Sequence, residues 1–510
     1  MSKKLLVKST STISVAIVIS RVLGLVRDMV IAGCFGTAAY AQAFVVAFRI
    51  PNLLRDLVGE GATNAAFVPV LTDELTKKGK QDFLKLSQVM LNIMFAALVI
   101  LTVAGMLAAP LIVRLIAPGF VADKEKLELT INLTKVLFPF LLLVGLWAYA
   151  MGVLNSMGRF AASAFGPCLL NLSIILCAMW FGENVFGLAT GVLAGGALQI
   201  FIQLPSLHAG GWRFKLTTEV SHPKAKKIGA LLIPRALGAC VYQVDVFIST
   251  ILASLAWIAG EGAVPALYYA NRLWQLPLAI FGIALAQAAL PTMSRHVALN
   301  DTAKFKETIS FSLKALAFIL IPASVGLMIL SAPIVKVLLQ RGAFTDYSAG
   351  ITSDALFFYS ICLVTCAGVK VLVSAFYSMH DTMTPVKTAF AALGVNIALS
   401  LTLMFPLKLG GLALATSVSS ICNFTVLYVL LKRRLGDIGS GALLDCAARV
   451  TAASVVMGFT LKYMISIFAH VGAAALLVTI ICGIAVFLAA GFVFGVKELK
   501  EIALLISRKR

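Results

Sequence analysis

Apolar residues follow one another along this chain in stretches of about 18–25 positions, the length at which an α-helix crosses a bilayer, with short polar links between them. The stretches run approximately 11–35, 40–58, 84–109, 129–154, 162–181, 185–206, 228–258, 265–291, 309–331, 352–378, 385–405, 409–431, 442–467 and 472–495. This pattern predicts an all-α polytopic membrane protein of about 14 transmembrane helices. If the N-terminus is cytoplasmic, the links rich in Lys and Arg fall on one side: Lys77, Lys78 and Lys80; Arg213 to Lys227; Arg295 to Lys306; Lys432 to Arg434; and Lys497 to Arg510. Counting links and tails gives about 25 cations on that side against about 6 on the other, which predicts that both termini are cytoplasmic. The longest links, Gly59–Asp82 and Ser206–Lys227, hold about 20 residues and read as loops too short for a soluble domain. Function is therefore expected within the membrane body.

Composition agrees with that class. Of 510 residues 60% are hydrophobic and only 13% charged, with a mean hydropathy of +0.98. The formal net charge of +20 raises the question of nucleic acid. However, the cations form neither a basic tail nor an aromatic-studded soluble domain, so no nucleic-acid partner is expected. The nine cysteines lie mostly inside apolar stretches, among them Cys168, Cys177, Cys240 and Cys482, with no Cys-x-x-Cys pair. They read as small buried hydrophobes. Lys3, Lys4 and Lys8 precede the first apolar stretch as they would in a signal peptide, but that stretch contains Arg21 and Arg27 and lacks a small-residue cleavage site. It is expected to stay as the first helix.

Those two arginines raise the functional question. Each costs roughly 2.5–3.5 kcal/mol at the centre of a spanning helix, so both need partners. Arg49, Arg55, Arg235, Arg272 and Lys370 also sit in or at the ends of apolar stretches, while Asp245 reads as the one carboxylate deep within any of them. The surplus of cations predicts an anionic, phosphate-bearing substrate that completes the charge balance of a cavity in the bilayer. Snorkelling, or pairing of the arginines with Asp28, is the plain structural alternative.

The two halves repeat. Arg49-Ile50-Pro51 followed by Ala66-Phe67-Val68-Pro69 corresponds to Arg272-Leu273 and Pro277 followed by Ala289-Leu290-Pro291, and Ser156-Met157 with Pro167 corresponds to Ser378-Met379 with Pro385. The offset of about 222 residues spans an even number of helices, so the repeats share one topology in the membrane. Residues 1–206 are expected to form a first six-helix lobe, 207–434 a second, and 435–510 two further helices and a cytoplasmic tail. Two repeats around a cavity suit an alternating-access transporter.

Ser20 to Asp28 (SRVLGLVRD), Ala43 to Arg55 (AFVVAFRIPNLLR), Gly59 to Pro69 (GEGATNAAFVP) and Tyr268 to Pro291 (YYANRLWQLPLAIFGIALAQAALP) together resemble the bacterial MurJ/MviN lipid II flippases of the MOP exporter superfamily. The resemblance implies two six-helix lobes around a cationic cavity for the headgroup of lipid II, the undecaprenyl-pyrophosphate-linked disaccharide pentapeptide. Helices thirteen and fourteen would form a groove for the lipid tail. It also implies the bacterial inner membrane and a place in peptidoglycan synthesis, with cell-wall synthesis or division proteins as possible partners. Carried over by matching position, Arg21, Arg27, Arg55 and Arg272 are the expected substrate arginines. Arg49 and Lys370 are added as further cations at membrane depth. A guanidinium fork can grip pyrophosphate oxygens in pairs, which a lysine cannot. Gly24 and the Gly59-Glu60-Gly61 run are the expected hinge or gate, because glycine frees the backbone. Acidic residues common in the family are here Gln42, Asn271 and Gln275, which makes the cavity more cationic.

Asp245 carries a separate expectation, since an isolated intramembrane carboxylate is by default a proton or cation site. By resemblance, Asn396 and Thr416 would complete a sodium site there, although a second acidic ligand expected near Asn396 is Ser400 in this chain. Pairing of Asp245 with a cavity cation remains the alternative, so coupling to Na⁺ or H⁺ stays open. No Ser-His-Asp set, Gly-rich phosphate loop, Walker motif or zinc pattern appears, so the chain is expected to be a transporter and not an enzyme. Two other classes are set beside the flippase: an exporter of another anionic lipid-linked oligosaccharide or small molecule in the same superfamily, and a polyprenyl-phosphate transferase.

Overall fold

The structure, a computed structural model, describes residues 3–55, 64–213, 223–467, 472–496 and Leu499. Every element among them is a helix or a turn. The backbone packs into two compact units, Met1–Leu255 with Arg341–Phe344, and Ala256–Gln340 with Thr345–Arg510. The first contains α1 (Lys3–Phe35), α2 (Ala39–Arg55), α3 (Asn64–Lys77), α4 (Lys80–Ile116), α5 (Lys124–Leu137), α6 (Pro139–Ser156), α7 (Ala161–Ala164), α8 (Gly166–Phe181), α9 (Val185–Phe201), α10 (Leu204–Ala209) and α11 (Pro223–Ser254). The second contains α12 (Ala256–Ala259), α13 (Ala263–Pro277), α14 (Ala284–Ala298), α15 (Thr302–Ile329), α16 (Ser331–Leu339), α17 (Asp346–Ser360), α18 (Leu363–Ser378), α19 (Met383–Leu435), α20 (Ser440–Ile467) and α21 (Ala473–Val493). Among the described residues nine helical runs are long and apolar enough to cross a membrane, and the bent pair α17–α18 makes a tenth. The protein is an all-α polytopic membrane protein.

The helix ends follow from local chemistry. Asp123, Asn184, Asp301 and Thr345 cap α5, α9, α15 and α17, each accepting a backbone N–H from the first turn. The stretches 385–405 and 409–431, expected as separate spans, lie in α19 as two helices that meet at a kink, where Lys408 is non-helical at φ 49°. The break has a local cause. Pro406 supplies no N–H, and Gly411 approaches so closely that a Cβ there would stand 2.1 Å from the Leu403 carbonyl oxygen. The link expected as a loop at Gly59–Asp82 instead holds α3, which packs Phe67, Val70 and Leu71 into a core with Phe83, Leu86 and Tyr149.

Small residues bring α8 and α9 of the first unit close together. On α9, Cβ atoms at Gly191 and Gly195 would lie 3.0 Å from Ile174 Cα and 2.9 Å from Leu170 Cα, so α8 and α9 pack backbone to backbone. Membrane helices associate in this way because lipid gives them no hydrophobic drive to do so. The internal repeat is visible in the geometry of both units. Ser156 ends α6 and Ser378 ends α18, each hydroxyl donating to the carbonyl four residues back at 2.8 Å. Each helix then turns through a positive-φ residue, Gly158 (73°) or His380 (60°), after which Arg159 N–H and Asp381 N–H close the turn on the Leu154 and Phe376 carbonyls.

Four residues from the second half of the sequence, Arg341–Phe344, belong to the first unit. Ala343 N–H donates to the Gly33 carbonyl at 2.8 Å. The approach is close enough that a Cβ at Gly36 (φ 55°) would come within 2.2 Å of the Ala343 oxygen, and one at Gly342 (φ 54°) within 2.3 Å of the Gly33 oxygen.

Candidate substrate site

Arg27 is 6% exposed and Asp28 3%, so the first arginine pair of the sequence is split by environment. The Arg27 Nε and Nη2 both donate to Asp28 Oδ1, at 3.0 and 2.7 Å, and Nη1 donates to Asn171 Oδ1 on α8 at 3.0 Å. Asn171 Nδ2 in turn donates to the Ser20 carbonyl at 3.0 Å. Gly24 faces this amide, and a Cβ there would meet Nδ2 at 3.6 Å, an ordinary contact. The pairing with Asp28, held as the plain alternative in the sequence, is therefore present for Arg27. Arg21, six residues earlier on α1, is exposed and has no ion-pair partner among the described residues. A guanidinium exposed in a membrane helix has to meet water, phosphate or an interface.

Arg49 on α2 is half-buried, and its Nη1 donates to the hydroxyl of Thr250 on α11. Thr250 also donates to the Val246 carbonyl at 2.6 Å, one turn back, and Asp245 lies half-buried beside that turn. In the second unit Arg272 is exposed on α13, its guanidinium carbon 5.5 Å from the centroid of the Tyr268 ring. Between Pro277 and α14 the chain takes a π-helical turn, Leu278–Ile283, a widening that in membrane and soluble helices alike is common at functional positions. Asn271 and Gln275, two of the positions where the resemblance implies acids, hydrogen-bond to each other at 2.9 Å. Gln42, the third such position, is buried and donates to the Thr37 carbonyl at 3.3 Å. Lys370 is exposed on α18 and has no ion-pair partner among the described residues.

For the expected cation site, Asn396 is buried with its Oδ1 accepting from Ser400 at 3.1 Å, and the Thr416 hydroxyl donates to the Leu412 carbonyl at 3.1 Å. Both side-chain oxygens keep lone pairs that could accept a hard cation. Asp245 lies in the first unit and these two in the second. The Arg55 side chain and Gly59, Glu60 and Gly61 lie outside the described residues.

Three features escape a reading of the sequence. Asn171 is a polar residue inside the 162–181 stretch, the signal that could have marked it as a partner for α1. Asp354 is the third residue of the 352–378 stretch, but α17 begins at Asp346, so it stands eight residues into that helix and Asp245 is not alone among carboxylates inside apolar helices. A third is an ion cluster outside the apolar runs, where α3 meets the start of α11. Lys224 Nζ pairs with Glu74 Oε2, and with Asp73 Oδ2 at 2.9 Å, while Lys77 reaches Asp73 at 2.7 Å and Lys78 reaches Glu74 at 3.2 Å. The hydrogen bonds from Lys77 and Lys224 hold the Asp73 carboxyl down to about 2. Burial pushes the Glu74 carboxyl up, and the hydrogen bonds from Lys224 and Lys78 outweigh it, so it too lies below its ordinary value. Lys224 is raised, by Glu74 first and Asp73 second.

Comparison with known proteins meets this geometry. A sequence profile of the family described as lipid II flippase MurJ matches residues 31–483. A Rhizobium tropici protein named probable lipid II flippase MurJ is 35% identical over 471 residues, covering 90% of this chain and 87% of its own length. A Vibrio cholerae protein of the same name is 37% identical over 443 residues, covering 84% and 83%. Among solved structures, a lipid II flippase MurJ in an inward closed conformation superposes with a TM-score of 0.80 at 26% identity, covering 94% of this chain and 98% of that one. An inward-facing multidrug resistance MATE transporter of the MOP superfamily gives a TM-score of 0.68 at 13% identity, covering 82% and 96%, and so shares the fold. The helical architecture, the arginines at membrane depth and the match over residues 31–483 agree: this chain belongs to the MurJ family of lipid II flippases.

Proposed function

We propose that this chain carries lipid II from the cytoplasmic to the periplasmic leaflet of the bacterial inner membrane by alternating access, as a transporter serving peptidoglycan synthesis. The family match over residues 31–483 carries the reading. The cations support it chemically: Arg21 and Arg272 are exposed on apolar helices, Lys370 likewise, and Arg49 is half-buried. Such groups suit a pyrophosphate better than the cationic drugs of multidrug exporters. Arg27, fixed by Asp28 and Asn171, shapes the first helix, which also carries Arg21, and Arg55 is assigned by motif alone.

In the full reading the chain has fourteen spans with both termini in the cytoplasm, lobes at 1–206 and 207–434, and a lipid-tail groove in 435–510. Gly24 and Gly59-Glu60-Gly61 serve as hinge and gate. A cation, Na⁺ or H⁺, acts at Asp245 with Asn396 and Thr416, and cell-wall synthesis or division proteins are the partners. The test is reconstitution: purified protein in vesicles carrying labelled lipid II in one leaflet, with exposure of the label in the other leaflet followed over time. Wild type is expected to move the label and Arg21→Ala to lose most of that activity. A wild type no faster than empty vesicles sinks the reading.

A further inference from the structure

The bent pair α17–α18 turns through 46° at Ile361 and Cys362, within a stretch that together has the length and hydropathy of one span. A break at membrane depth frees backbone carbonyls that lipid cannot satisfy. Here two neighbouring helices supply hydroxyls for them. Ser324 on α15 donates to the Ser360 carbonyl at 2.5 Å, and Ser417 on α19 donates to the Phe358 carbonyl at 2.6 Å. Gly410 lets Phe358 approach, since a Cβ there would stand 2.6 Å from its ring. The bend is thus held from both sides, and broken helices of this kind line polar paths through membranes.

Charges flank the bend. Asp354 lies eight residues into α17, about 12 Å along the helix from Asp346, whose carboxylate meets Lys336 and Gln340. Its neighbours Thr352, Ser353, Ala355 and Leu356 are buried, yet Asp354 itself is exposed and has no ion-pair partner among the described residues. A carboxylate exposed to hydrocarbon at that depth is costly, which places this face against water or a charged ligand. Lys370, on the far side of the bend, is exposed and unpaired in the same sense. The Asp354 carboxylate repels phosphate and the Lys370 ammonium attracts it.

Resting on the flippase reading, we infer that Asp354 is a specificity residue that takes a cationic group of the substrate headgroup, the free amine of the stem peptide's diamino acid, while the cations take the pyrophosphate. A substrate with phosphate at one end and an ammonium along its peptide carries both signs. The sign of Asp354 suits only the second.

The test compares binding of two lipids to the detergent-purified protein by native mass spectrometry: lipid II with its side-chain amine free, and the same lipid with that amine acetylated. Wild type should favour the free amine about tenfold, the worth of one charge-assisted hydrogen bond partly screened by water. Asp354→Asn should bind both lipids alike at the weaker level, and Asp354→Glu should restore the preference. A preference retained by Asp354→Asn, or absent from wild type that binds both lipids, overturns the subsite and leaves the flippase reading standing. Loss of both lipids in the Asn and Glu variants alike overturns it as well, assigning Asp354 a structural role. Wild type that binds neither lipid overturns the flippase reading itself.

Discussion

Asn171 holds Arg27 from the side opposite Asp28: its Oδ1 accepts from Nη1 at 3.0 Å while Nε and Nη2 converge on Asp28. The guanidinium is thereby fixed in a plane between α1 and α8. Asn171→Leu removes that acceptor from the buried Arg27 guanidinium, at about 1–3 kcal/mol, together with the donor to the half-buried Ser20 carbonyl. Thermal unfolding in detergent should show a clear loss of stability. An unchanged midpoint would show that α1 and α8 are held by packing alone.

Arg21 gives the opposite pattern, because on the same helix it is exposed and has no ion-pair partner among the described residues. Arg21→Lys should change stability by less than about 0.5 kcal/mol, the range for a surface substitution. It should still reduce lipid II transport, since a lysine cannot present the planar fork. Arg27→Lys should lose stability and transport together. Measuring both quantities for both variants separates a substrate ligand from a structural arginine, and equal transport by Arg21→Lys and wild type removes Arg21 from the site.

Gly36 combines a positive φ with a 2.2 Å approach to the Ala343 oxygen. Gly36→Ala adds about 1–2 kcal/mol of backbone strain and a clash that the Ala343 backbone can relieve only by moving. The hydrogen bond from Ala343 to Gly33 should open, seen as faster amide exchange at Ala343. Gly182→Ala is the control, because φ is 59° there but no atom lies within 4 Å of the added Cβ. Equal exchange at Ala343 in the two variants would remove the clash from the explanation.

The cluster joining α3 to α11 has a pH window with a definite sign. Asp73 and Glu74 have lowered values in the folded protein, so their contribution is present above the unfolded values of 3.8 and 4.5 and fades as pH falls below them, for Asp73 toward about 2. Lys224 is raised above 10.5, so its contribution is complete below that pH and fades only as pH climbs past it. Exchange protection of α3 should therefore be flat from about pH 5 to 10 and fall on either side. In Lys224→Met the protection should be lower at every pH in that range, by several-fold. A variant protected as well as wild type would show that the apolar contacts of Phe67, Val70 and Leu71 dock α3 without the charges.

Runs of apolar residues made the class legible, because lipid requires length and hydropathy and both are read by counting. The family motifs and the repeat of Ser156 with Ser378 were legible for the same reason: they are local. What sequence did not disclose depends on long-range partners. The pair of Arg27 with Asp28 is local and stood as the alternative, whereas Asn171, the amide that completes it, lies 144 residues away. The Glu74–Lys224 pair joins two links that both read as loops. Asp354 went unnoticed because the apolar stretch was begun six residues after α17 begins. The bend of α17–α18 leaves no mark in hydropathy, because its carbonyls are satisfied by serines at positions 324 and 417 that look ordinary in sequence.

Asp245 offers a last test, of coupling. It is half-buried on α11, on the helix whose Thr250 receives Arg49. A carboxylate there can hold a cation or serve as a fixed countercharge, and the two roles diverge under Asp245→Asn, which removes the charge and nearly keeps the shape. A bound ion drives a conformational cycle only through a difference in affinity between its states. If Na⁺ is that ion, wild-type transport should rise with sodium in the millimolar range and the variant should be flat, since Ser400 stands where a second acid would strengthen the site. If the ion is a proton, wild type should respond to pH and the variant should not. Transport that is the same for both proteins across sodium concentration and pH would leave Asp245 as a countercharge only, and the driving force would then have to come from the membrane potential or from consumption of lipid II on the far side.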